Sequence, residues 1–140
     1  MIYLILMFNL LKFYTVWNII LVLFKNLTIY YFDIHLSTLF VFLCGFYLSF
    51  IYPKYYIFIL NNKKIKITGW LRFIIVDIIF HTIPLIYIIN IKYEYNKQKI
   101  LNQLILFFIY LFFNNIFHIY NIRLIDYYRL ILFLVIVFLN

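Results

Sequence analysis

Asp77 and His81 stand four residues apart in WLRFIIVDIIFHTIPLIYIIN, Trp70 to Asn90, and Pro84 follows three positions later. At helical spacing the three share one face. A carboxylate and an imidazole so placed have four chemical uses. They can satisfy each other and fix helix packing, with Arg72 or an Asn from another helix helping. They can relay protons or line an ion path, because an imidazole changes charge near neutral pH. His81 can act as a general base oriented by Asp77, with a nucleophile from elsewhere. Thr82 is expected to point away from that face, so Cys44 or Ser49 of an earlier helix would have to supply it. Last, Asp77, His81 and His118 make two histidines and one carboxylate, a known open metal-ligand type. No pair of His residues has close helical spacing, however, and the reading assigns neither a metal nor a cofactor.

Pro84 has no N–H, which in an α-helix leaves the Phe80 carbonyl free beside His81. A second polar patch, Asn114, Asn115 and His118, again has two members four apart. The expectation is that it pairs with the first across a helix interface. Asp77, His81, Pro84, Asn114 and His118 would then form one inward-facing polar niche.

What must hold such a niche follows from composition. Of the 140 residues, 69% are hydrophobic and 11% charged, with a mean hydropathy of +1.06. A water-soluble domain of this size cannot hide that much apolar surface, so the solvent expected is lipid. Ala is absent, and Ile, Phe, Tyr, Asn and Lys abound, residues whose codons are rich in A and T. Single Phe, Tyr, Asn or Ile residues therefore carry little weight. The net charge of +8 sits mostly in gaps between apolar runs, the pattern of basic membrane flanks rather than of a nucleic-acid face. Cys44 is the one cysteine and has no internal disulfide partner.

About 20 apolar residues cross a bilayer as a helix. The runs predict spans over about 2–24, 36–52, 70–90 and 100–120, and a short fifth over 122–139 in which Arg123 and Arg129 snorkel. The fold class expected is all-α, an integral membrane bundle of four to five transmembrane helices in a single domain, 1–140. The first run has no basic residues before it and reads as a retained anchor rather than a signal peptide. Its Asn9, Lys12, Thr15 and Asn18 recur every third residue and give it one polar side. In the second span Thr38, Gly45 and Ser49 form a stripe of small residues, the expected packing seam, since close approach is what holds helices together in lipid. Between the second and third spans, NNKKIKITGW reads as a loop or short hairpin at the membrane surface. One set of loops carries Lys54, Lys63, Lys64, Lys66, Arg72, Arg123 and Arg129, the other Lys25, Lys92, Lys97 and Lys99. That places the N-terminus in the cytoplasm.

Tyr52-Pro53-Lys54 together with the Asp77, His81 and Pro84 trio resembles small multi-span membrane proteins of large DNA viruses of protists. The resemblance implies a virion or host-cell membrane location and supplies no activity. The function expected is structural or membrane-organising, with the bilayer, further copies of the chain or other membrane proteins as partners and no nucleic acid. The alternatives are a small transporter or ion-conducting protein, and a lipid-active membrane enzyme using His81.

Overall fold

Eighteen residues from Ile34 to Ile51 form α4, the helix around which the other elements pack. Its run has no Pro and no charge, and Asp33 caps its start by accepting from the Leu36 N–H at 3.0 Å. The computed structural model describes residues 1–120 and 123–139, apart from the side chains of 5–8, 117 and 118. Before α4 come α1 (Ile2–Leu10), α2 (Tyr14–Leu23) and α3 (Lys25–Thr28). After it come strands β1 (Tyr55–Leu60) and β2 (Lys63–Thr68), then α5 (Gly69–Arg72), a π-helix (Phe73–Thr82) and α6 (Ile83–Ile89). The chain ends with α7 (Lys97–Phe113), α8 (Ile116–Ile119) and α9 (Leu124–Leu139).

Two helical stretches, Ile34–Ile51 and Gly69–Ile89, are long and apolar enough to cross a membrane. The molecule is mostly helical, but the all-α expectation needs a correction: β1 and β2 pair antiparallel, Tyr56 opposite Ile67 and Leu60 opposite Lys63. Asn61 and Asn62 make their two-residue turn with φ of 53° and 60°, the left-handed pair that tight hairpins require and Asn tolerates. Tyr56 and Ile67 are buried against Val76 of the π-helix, which fastens the hairpin to one end of the bundle.

The first run, expected as one helix over 2–24, is broken at Leu11–Phe13. Aromatic side chains take up the backbone groups that the break frees. The Trp17 indole donates to the Leu11 carbonyl, the Tyr110 hydroxyl donates to the Lys12 carbonyl at 2.6 Å, and the Tyr14 N–H donates to the Tyr120 hydroxyl at 2.8 Å. Irregular backbone survives away from water only where such partners replace the ladder. The run expected over 100–120 likewise ends early: α7 stops at Phe113, and Asn114–Asn115 separate it from α8. Of the fifth expected span, residue 122 lies outside the described residues, and α9 covers 124–139.

The basic segments gather at two ends. At one, the hairpin and Tyr52 lie beside Arg72 and Asp126. At the other, Asp33 bonds Tyr93 and the Lys99 carbonyl, and Lys25 stacks over Tyr87 at 4.1 Å.

Candidate functional site

The stretch that carries Asp77, His81 and Thr82 is wound as a π-helix, with hydrogen bonds reaching back five residues rather than four. Ile83 N–H, for instance, bonds to the Ile78 carbonyl. The side-chain links within the stretch have the same period. Arg72 Nη1 lies 3.2 Å from Asp77 Oδ2, the His81 Nδ1 meets the Val76 carbonyl, and Thr82 Oγ1 donates to the Asp77 carbonyl at 2.6 Å. Each joins residues five apart. The return to α geometry falls at Pro84, the second residue of α6, which has no N–H to place in either ladder. The carbonyl that His81 engages is Val76's, five residues back, and not the neighbouring Phe80 carbonyl that an α-helical reading leaves free beside it.

This winding separates the two residues whose spacing suggested a pair: no hydrogen bond joins Asp77 to His81 among the described residues. Asp77 turns instead to α4, where Ser49 Oγ donates to its Oδ1 at 2.5 Å, while Arg72 occupies Oδ2. His81 is buried with its ring against Gly45 of α4, where a Cβ would overlap the imidazole. The stripe of small residues is thus used in two ways. Gly45 and Ser49 face the π-helix, whereas Thr38, about two turns before Gly45, faces α2.

A serine triad needs a hydroxyl on an imidazole and the imidazole on a carboxylate. Here the hydroxyl of Ser49 sits on the carboxylate, and the imidazole is bonded to backbone. Among the described residues no three His, Cys, Asp or Glu side chains converge on a metal position. The His118 side chain, proposed from the sequence as a ligand and as a niche member, lies outside the described residues. Asn114 does not join the niche: its amide donates to the Tyr110 carbonyl at 3.0 Å, and it lines a cleft with the hairpin turn Asn61–Asn62. The helix ends at Phe113, so the Tyr110 carbonyl lies among the last four, which have no intrahelical partner, and the Asn114 amide supplies its donor.

No family model matches the chain, and neither curated proteins nor solved structures gave a match.

A second buried polar centre, not singled out from the sequence, ties α2, α4 and α7 together. Ser37 Oγ donates to Asn18 Oδ1 at 2.8 Å, and Thr38 adds a second bond at 3.3 Å. The Ser37 proton is used on Asn18, so the Tyr14 hydroxyl, 3.0 Å away, donates to Ser37. Gln103 Nε2 in turn donates to Tyr14 at 2.9 Å. Asn18 and Thr38 are fully buried, and the polar side of the first run was the one hint of this network. Beside it a cavity of about 350 Å³ opens among α4, α7, α9 and the π-helix, with Cys44, Leu48, His81, Leu111, Leu130 and Leu134 in its walls.

Proposed function

We propose that this chain is a multi-pass integral membrane protein with a structural, membrane-organising role, in which the Asp77/His81 niche serves packing rather than chemistry. The observation that carries the reading is the closure of the niche. Both carboxylate oxygens of Asp77 are engaged, by Ser49 and by Arg72, and the His81 ring is seated in the notch of Gly45. Such a site fixes the register of two helices and leaves no free oxygen on the Asp77 carboxylate.

The membrane setting is supported by an inverted surface. Asn18, Thr38, Gln103 and Asp126 are buried, while Phe50, Phe112, Phe113 and Leu139 are each at least 73% exposed. In water such apolar area would drive association, whereas in lipid it costs nothing. Four to five crossings, a cytoplasmic N-terminus from the Lys and Arg bias, and a virion or host-cell membrane from the sequence resemblance belong to this same reading.

A small transporter is the second reading, favoured by the helix break at Leu11–Phe13, because interrupted helices line substrate paths in transporters. Reconstitution distinguishes the two. Proteoliposomes of the full chain are expected to show no proton or ion flux above empty vesicles, and Asp77→Asn to lower only thermal stability. A flux that Asp77→Asn abolishes, in protein that still folds, would overturn the structural reading in favour of the second.

A further inference from the structure

Asp126 is a charged residue that the niche does not explain. Its side chain is fully buried, yet it holds two arginines that are largely exposed. The Tyr52 hydroxyl donates to its Oδ2 at 2.8 Å and Arg123 Nε reaches the same oxygen at 3.1 Å, while Arg129 Nη1 lies 3.8 Å from Oδ1. Because Arg123 uses its Nε here, the fork keeps donors for a second acceptor. Arg123 also lines an outer cavity of about 410 Å³ with Tyr52, Tyr55, Tyr56 and Ile57. Lys66 of the hairpin stands 4.7 Å over the Tyr55 ring. Two arginines thus share one carboxylate, Lys66 adds a third cation over the cavity wall at Tyr55, and the group carries excess positive charge.

The face of α9 that carries Asp126 continues inward through Leu130 and Leu134, four and eight residues on, and both line the apolar chamber of about 350 Å³. At ~1.5 Å per residue, Asp126 and Leu134 are roughly 12 Å apart along the helix, within the reach of an acyl chain. The chamber walls suit hydrocarbon and the cluster suits a phosphate, at two ends of one helix face. We infer that the chain binds one anionic phospholipid, its phosphate on Arg123 and Arg129 and one acyl chain in the chamber beneath them. The inference rests on the membrane reading above. A free phosphate would use only the cluster, and a zwitterionic lipid would gain less from it.

The test uses the full chain in neutral detergent, with lipid retention read by native mass spectrometry against phosphatidylglycerol, phosphatidylcholine and inorganic phosphate. The native chain is expected to hold one phosphatidylglycerol in preference to phosphatidylcholine, with inorganic phosphate unable to displace it. Arg129→Gln should weaken phosphatidylglycerol about fivefold, the weight of one basic residue at a lipid surface. Lys66→Gln, which leaves the Asp126 bonds untouched, should do the same if Arg129→Gln fails to fold. Leu134→Trp, which fills the chamber, should lower retention of both lipids. Equal retention of the two lipids, displacement by inorganic phosphate, or indifference to both the Lys66 and Leu134 substitutions would overturn the inference. Release of the chain from membranes by alkaline carbonate would instead sink the membrane reading on which it rests.

Discussion

Gly45 of α4 and His81 of the π-helix are in direct contact, the imidazole lying where a Cβ on residue 45 would be. The small residue and the ring are one fitted unit. Gly45→Ala should therefore displace the ring and destabilise the folded chain by about 1–3 kcal/mol, the usual cost of overpacking. Helix propensity alone would favour Ala by roughly 1 kcal/mol, so the sign of the change in thermal unfolding discriminates. Greater stability for Gly45→Ala would rule out the fit.

Arg72 and Asp77 form a pair whose side chains are 7% and 22% exposed. Removing one partner strands the other, and such losses cost about 3–5 kcal/mol at buried sites. Arg72→Gln should therefore be strongly destabilising, while Arg72→Gln with Asp77→Asn should recover much of the loss. Denaturant unfolding in detergent measures both. A double variant that unfolds as readily as the two single losses summed would argue that the pair is not coupled.

The Lys12 carbonyl depends on the Tyr110 hydroxyl. Tyr110→Phe leaves that carbonyl without its donor at the helix break, for about 1–3 kcal/mol. Limited proteolysis and hydrogen exchange around 10–14 should rise in the variant before the rest of the chain changes. Unchanged exchange there would mean that the break does not rely on this bond.

At the opposite end, Tyr93 donates to Asp33 at 2.8 Å, and that bond, with some burial and the carboxylate's charge, pushes the phenol up to about 12 from its ordinary 10.0. The folded chain holds this proton more tightly than the unfolded one. Its stabilisation is therefore complete below about pH 10 and is lost as pH rises through about 12. The difference in phenolate absorbance between the native chain and Tyr93→Phe should show a step near pH 12 rather than near 10.

The two long apolar helices, 34–51 and 69–89, are legible in the sequence because unbroken apolar runs need no partner to identify them. The break at Leu11–Phe13 is not, since no Gly or Pro marks it and its partner Tyr110 lies 98 residues away. The π winding is equally hidden. Between Phe73 and Thr82 apolar residues stand on every side, so no periodic contrast tells a five-residue link from a four-residue one. That is why Asp77 and His81 read as a pair with Arg72 only as a helper, while Arg72–Asp77 and Ser49–Asp77 are the bonds formed. Asn18 and Gln103 were hidden differently: in a chain so rich in Asn, no single amide stands out until Tyr14 and Ser37 are seen to join them.

The His81 ring is packed in direct contact with Gly45 of α4. A double-mutant cycle tests it, with Gly45→Ala measured in the native background and again in His81→Ala, by reversible unfolding in detergent. With the ring gone, Gly45→Ala should lose its penalty, giving a coupling of about 1 kcal/mol or more for residues in contact. An identical penalty in both backgrounds would mean that the glycine and the ring are not a fitted pair.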